Sequence, residues 1–502
     1  MVGPLSSLLQ IKIQASSRVL YRGALTGEIL REWQESLGHR LQAQVFPQRV
    51  SKPWTSPVQK LEDKATLMQK RDHAAPWGEP LKLLPLLALY AAYAVTHNKG
   101  FLRGDESRYL INAHNILKGY FASEESLMFW NGPGYPLYLV PFVALKAPLL
   151  LPRLGNTLFL FFGMVYFQGT LRLAGVEKRS LLHAYIMGVL LLFHGAVVDM
   201  LMTESLCVFL ICGAAYHFFR LLEGDGRNPL HLAAAGSLLG YLAWTKIFFG
   251  YAIEISLLAA AGAWAWQAWR HTGSAGASSH GAGKAAAKAV AVCAVALAVC
   301  IPYLAYTRAV TGKLHFWGNS GGVQIYCMTV PEKELTGDWL NFDMVRDYPE
   351  FFGHETEVFK DMARLDYIPR DEAFKQAAIA NLKSNLKKCF WNWRANVNRM
   401  VFGFPVSPYP GSDLELTTGN RSFFYALPFL LFLFALVPGW LGRRLLPVAA
   451  HIALAFALLC LGGLTLLSCI PRQAFPLLPL LGLWTVLVVE KTVVFEAPWR
   501  RG

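Results

Sequence analysis

The stretch Leu102–Tyr120, LRGDESRYLINAHNILKGY, follows the first strongly apolar segment and sets an Asp–Glu pair just ahead of an amphipathic helix. A helical period places Tyr109, Leu110, Ala113, Ile116, Leu117, Tyr120 and Phe121 on one face. Arg108, Asn112, Asn115 and Lys118 fall on the other. Such a helix can lie flat at a membrane surface, with its apolar stripe in the acyl boundary. Asp105 and Glu106 would then sit where water meets lipid.

The 502-residue chain is 54% hydrophobic and 16% charged. A soluble protein carries about 25% charged residues. Apolar runs recur at 82–102, 133–151, 154–173, 181–199, 201–222, 230–248, 249–268, 286–306, 423–441, 446–468 and 472–490. They predict an all-α polytopic membrane protein, a bundle of about 11 transmembrane helices with an outward-facing polar region. The net charge of +14 reads as Lys and Arg gathered in cytoplasmic loops. No basic patch on a soluble domain supports nucleic-acid binding. Eight cysteines show no metal-ligand spacing. Cys207, Cys212, Cys293, Cys300, Cys460 and Cys469 lie in apolar segments as small hydrophobes. Cys327 and Cys389 lie in the polar region and are candidates for a disulfide if it faces an oxidising compartment.

The chain divides into a polar N-terminal extension (1–80), a transmembrane module (81–306) with its first outer loop at 103–132, an extracytoplasmic region (307–421), and C-terminal helices with a basic tail (422–502). The extension lacks a secretory h-region, and two readings stand: a start at Met68, or a weakly ordered cytoplasmic segment. RHTGSAGASSHGAGKAAAK reads as a flexible linker. Parity poses a problem. Seven apolar segments separate the Asp105 loop from 307–421, so if both face outward one segment must be re-entrant or half-length. In the polar region Phe374, Ala378, Leu382, Leu386 and Phe390 form one helical stripe, expected to pack over a cavity.

Polar groups at membrane depth are costly and mark function. Asp199 and Glu204 stand at the junction of two apolar segments, Lys246 at another, and Arg472 where the last span begins. With Asp105 and Glu106 they make a set of carboxylates and isolated cations at span ends. A carboxylate can take a proton from an attacking hydroxyl while Lys or Arg holds a departing phosphate. Plainer readings stand beside these. Asp105 suits a helix N-cap; Lys246 and Arg472 suit snorkelling anchors; Glu204 suits a helix entry. Glu254 suits a structural hydrogen-bonding group, and His183, His194 and His451 suit packing.

Several stretches in order resemble the GT-C superfamily of polyprenyl-phosphate-sugar glycosyltransferases, in the branch of the protein O-mannosyltransferases and the lipid A aminoarabinose transferase. They are GDESRYLINAHNILKGYF, WNGPGYPLYLVPF, MTESLCVFL, GSLLGYLAWTK and PRQAFPLLPLLGL, within about residues 82–490. The resemblance implies transfer of a sugar from a polyprenyl phosphate to an acceptor on the outer face, with inversion at the anomeric carbon. Asp105 then matches the general base, with Glu106 its partner. Lys246 and Arg472 match donor-phosphate positions. Arg108, Tyr109, Asn131, Tyr135, Asp199 and Glu204 are the expected pocket. No metal or other cofactor is implied. The implied partners are the lipid-linked sugar, an envelope glycan, lipid or protein acceptor, and membrane lipids, in a bacterial inner membrane. Two departures bear on substrate: Asn131-Gly132 where aminoarabinose transferases have Glu-Lys, and Arg472-Gln473 where many relatives have Arg-Tyr. The competing readings are a non-catalytic assembly subunit of the same fold, and a transporter or flippase using Asp199, Glu204 and Glu254 as ion sites.

Overall fold

The computed structural model describes residues 11–13, 78–122, 127–194, 198–223, 229–271, 280–405 and 422–495. Most of the N-terminal extension, the centre of the Gly/Ser linker and the basic tail lie outside them, as does the His194 side chain. Residues 14–81 form a separate unit, of which only the turn Gly78–Leu81 is described.

The other unit is helical. In chain order its helices are α1 (Leu84–Thr96), α2 (Glu106–Leu117), α3 (Gly134–Ala144), α4 (Leu150–Leu173), α5 (Ser180–His194), α6 (Glu204–Glu223), α7 (Pro229–Thr245), α8 (Phe248–His271) and α9 (His280–Thr311). The polar region adds α10 (Gly321–Thr329), the short α11 (Phe342–Asp347), α12 (Glu355–Ala363), α13 (Tyr367–Ser384) and α14 (Leu386–Phe402). It is followed by α15 (Ser422–Leu441), α16 (Val448–Thr465) and α17 (Leu478–Thr492). A short antiparallel ladder pairs Ile11–Ile13 with Val493–Phe495.

Seven described helices are long and apolar enough to cross a membrane, against about eleven expected spans. The shortfall has a physical cause. The apolar stretches from 82, 133, 181 and 230 fold as helices of only 13, 11, 15 and 17 residues. Proline accounts for α3: it enters through Pro133, holds Pro136 and Pro141, and stops before Lys146 (φ 49°) and Pro148. Conversely, α9 begins within the expected linker, because Ala-rich sequence after His280 is strongly helix-forming.

α2 differs from its sequence reading too. Its inner face is Glu106, Tyr109, Asn112 and Ala113, while Leu117 is exposed, because the helix packs chiefly on α3 rather than offering its whole stripe to lipid. The bundle core is continuous, and α6 and α7 are central to it: α6 packs on α4 and α7, and α7 on α9.

The polar region has its own core, built from Tyr326, Cys327, Leu340, Phe352, Phe359, Phe374 and Ala378. Asp371 closes it by accepting from the Gly322 amide at 2.6 Å. The expected stripe does not run as one helix, because the chain turns at Asn385 (φ −134°, ψ 45°) between α13 and α14. Phe374 and Ala378 are buried here, whereas Leu382, Leu386 and Phe390 are exposed. Cys327 and Cys389 are both free and buried. Cys327 Sγ accepts from the Leu340 amide, and Cys389 Sγ faces Thr329 O.

All eight cysteines are unpaired, so denatured protein is expected to titrate eight thiols with a thiol reagent. A deficit of two, restored by reductant, would contradict this packing.

Candidate active site

Polar residues at several helix ends meet at one end of the bundle. Glu106 is wholly buried beside the equally buried Arg153, on the first turn of α4, with Nη2 to Oε1 at 2.9 Å. Glu106 also accepts from the Arg103 amide and the Leu201 amide, both at 2.6 Å. Arg153 in turn donates to Asn98 Oδ1 and the Phe101 carbonyl. One ion pair thus ties the end of α1, the start of α2, the start of α4 and the turn before α6. Every oxygen of Glu106 is committed, which suits a positioning group rather than a partner facing substrate.

Its neighbour has the opposite surroundings. Asp105 occupies the N-cap position of α2 but makes no capping hydrogen bond. Its side chain is 22% exposed and bridges two cations. Arg472 Nη2 donates to Oδ2 at 2.8 Å, and Arg108 Nη2 to Oδ1 at 2.7 Å. Burial pushes the Asp105 carboxyl up, but Arg472 and Arg108 outweigh it and hold the group below the usual carboxylate range. It is a carboxylate at neutral pH.

Lys246, between α7 and α8, reaches Glu204 Oε1 at 2.9 Å across the first turn of α6. Lys246 and Arg472 both act electrostatically on Asp105, so the two ion pairs form one cluster. Asp199 lies beside it, bound to Arg103 Nη2 at 2.7 Å. Tyr109 packs edge-on against Tyr135 (5.2 Å between rings), and Tyr135 donates to Asn156 Oδ1. Burial, then Asp105 and Glu204, push the Tyr109 phenol far up, keeping it neutral. Arg108 also stacks on Trp130, which meets Trp339 of the polar region edge-on.

Asn131 comes close through its neighbour. A Cβ on Gly132 would lie 1.9 Å from the Trp244 carbonyl oxygen, so the loop Trp130–Gly134 is pressed against the end of α7 beside Lys246. A larger residue at 132 has no space. The Asn131 amide nitrogen is buried with no hydrogen-bond partner among the described residues. An apolar cleft of about 450 Å³ opens alongside, lined by Leu137, Tyr138, Phe159, Leu206, Phe209, Leu210, Ser237, Leu238 and Tyr241. Leu206, Leu137 and Tyr241 are each within about two turns of Glu204, Gly134 and Lys246.

The sequence-predicted residues Asp105, Glu106, Arg108, Tyr109, Asn131, Tyr135, Asp199, Glu204, Lys246 and Arg472 therefore gather at one end. Sequence reasoning missed Arg103, Arg153 and Asn156. Arg153 carried the signal that found Lys246 and Arg472, an isolated cation at the start of an apolar helix. Glu254 serves as the hydrogen-bonding group expected of it, accepting from Trp317 Nε1 at 3.0 Å, with His315 Nε2 at 2.7 Å. His183 does more than pack: its Nε2 meets Glu490 Oε1 at 2.9 Å at the opposite end.

Removing one partner of a buried ion pair costs about 3–5 kcal/mol. Glu106→Ala is expected to lower thermal stability in detergent by that order, with Asp105→Asn close to wild type. Equal stability of Glu106→Ala and wild type would contradict the positioning role. Compared with known proteins, the chain matches no family model, no curated protein and no solved structure.

Proposed function

We propose that the protein is an inverting glycosyltransferase that moves a sugar from a polyprenyl-phosphate donor to a hydroxyl of an extracytoplasmic lipid, glycan or protein. The observation that carries this reading is Asp105, an accessible carboxylate shared by Arg472 and Arg108, with Lys246 beside it. The acceptor hydroxyl attacks the anomeric carbon and gives its proton to Asp105. The bond from that carbon to the phosphate oxygen breaks, and polyprenyl phosphate leaves with the electron pair. Arg472 and Lys246 hold the phosphate, while Glu106 acts at one remove by fixing the backbone that carries Asp105.

Charge balance favours a phosphodiester donor. Arg108, Lys246 and Arg472 against Asp105 and Glu204 leave one positive charge, matching the single negative charge of such a donor. Proton transfer to Asp105 raises the site to two positive charges as the leaving monoester gains its second negative one. The apolar cleft between α3, α4, α6 and α7 offers a path for the prenyl chain, and the unpartnered Asn131 amide a donor to a sugar oxygen. In this reading metal is not needed to neutralise a pyrophosphate.

Topology accords with the same reading. α3 starts beside the end of α7, and the following α4 starts beside Glu106, so α3 leaves and returns at one end of the bundle. In this reading α3 is the half-length segment, and α5 and α7, shorter than a full span, run back between the long helices α4, α6, α8 and α9, so that the Asp105 loop and the polar region share one side. The short connections at the opposite end carry Lys178, Arg179, Arg443 and Arg444, which suits a cytoplasmic face. The site then faces outward, from a bacterial inner membrane. Against the transporter alternative, Asp199, Glu204 and Glu254 are already engaged by Arg103, Lys246 and His315. Against a non-catalytic subunit stands the intact, accessible Asp105.

In membranes supplied with labelled polyprenyl-phosphate sugar, Asp105→Asn is expected to lower turnover by about 10² to 10⁴, the worth of a general base. Since Arg108 helps lower the Asp105 pKa, Arg108→Gln raises it, and the acid-side loss of activity moves to higher pH. A fully active Asp105→Asn enzyme would overturn the assignment.

A further inference from the structure

α14 is amphipathic in the reverse sense. A helix on a water-facing domain turns apolar residues inward and polar ones outward. In α14 the inward face carries Asn392, Asn396 and Arg399, at helical spacing and buried. Asn392 donates to the Met328 and Val330 carbonyls, and Arg399 to Thr336 Oγ1. The outward face carries Leu386 and Phe390, 67% and 54% exposed, with Trp391 and Trp393 beside them. At the end of the preceding helix, Ile379 and Leu382 are exposed as well. Lys383, Lys387 and Arg394 are interspersed with this apolar surface, and Arg394 stacks on Trp391 at 5.0 Å.

The level of this face is set by its attachments. Trp393 Nε1 donates to Thr465 Oγ1, on the last residue of α16, at 3.1 Å. Asn396 Nδ2 donates to the Leu467 carbonyl at 2.7 Å, three residues short of Ile470 and the turn that bears Arg472. α14 is therefore fastened to the bundle where an apolar helix ends, the level at which hydrocarbon gives way to headgroups. Tryptophans and cations around an apolar stripe are the composition of a segment lying in that interface.

We propose that the outer face of α14, with the end of α13, docks on the membrane surface, its aromatic and aliphatic side chains in the acyl boundary and Lys383, Lys387 and Arg394 on anionic headgroups. The polar region thereby rests on the bilayer beside the segment that carries Arg472, rather than standing free in water. The proposal requires only that the bundle spans a membrane and is independent of the reaction assigned to the site.

Spin labels on Leu386→Cys and Phe390→Cys, with Lys360→Cys on the exposed face of α12 as water reference, test it in full-length protein. The protein is placed in phosphatidylcholine vesicles with or without phosphatidylglycerol. Accessibility to oxygen relative to a nickel chelate is expected to be several-fold higher at 386 and 390 than at 360, and higher still with phosphatidylglycerol. Lys387→Gln with Arg394→Gln should remove the phosphatidylglycerol increment. A ratio equal to that at 360 would show a water-facing surface and overturn the proposal. Low collision rates with both reagents would show a protein cover, a second copy or another chain, and overturn it equally. Identical ratios in the two vesicles would overturn the headgroup contacts.

Discussion

The buried Glu106–Arg153 pair is the contact on which the polar end of the bundle depends. Burying two charges is favourable only when geometry and hydrogen bonds replace the lost water. Here the replacement is complete: two backbone amides and the guanidinium meet the carboxylate, and Asn98 and the Phe101 carbonyl take up further guanidinium protons. These partners come from three separate stretches of chain, around 98–106, 153 and 201. Fixing them together places the start of α2, and hence Asp105, against the turns that carry Glu204 and Arg472.

Two adjacent carboxylates thus have opposite work. Glu106 is saturated, inaccessible and structural. Asp105, one residue earlier, is partly exposed and shares its oxygens between two guanidiniums. Both guanidiniums keep it ionised, yet they also hold its basicity down. Under the proposed function, a donor phosphate arriving at Arg472 would compete with Asp105 for that cation, and the released carboxylate would be the stronger base. In the proposed reaction this would link donor binding and base strength through one side chain, favouring proton abstraction once the lipid-linked sugar is in place.

Much of this site was legible in the sequence because a charge inside an apolar run must have a reason. Glu204, Lys246 and Arg472 stood out that way, and all lie at helix ends in one cluster. Arg153 sent the same signal within LLPRLG and was passed over, because the Asp–Glu pair gave no sign of needing a separate cation. Gly132 was legible only as a departure from a pattern; the Trp244 carbonyl against its Cα is a tertiary contact that no local rule encodes. Helix lengths were misjudged where proline interrupts apolar sequence, as in α3. The stripe from Phe374 to Phe390 was read as one face because periodicity does not register the turn at Asn385, and the polar face of α14 turns inward against bonding groups distant in the chain.

The account turns on the claim that Arg472 serves Asp105 and the donor phosphate in turn. Equilibrium binding of a polyprenyl phosphate to purified protein in lipid nanodiscs tests it most directly. Losing a charge-assisted contact is worth about 1.5–3 kcal/mol, so Arg472→Gln should weaken binding by roughly ten- to a hundredfold. Asp105→Asn, which removes the carboxylate that competes for Arg472, should bind at least as tightly as wild type. Unchanged affinity in Arg472→Gln, or weakened affinity in Asp105→Asn, would contradict the account.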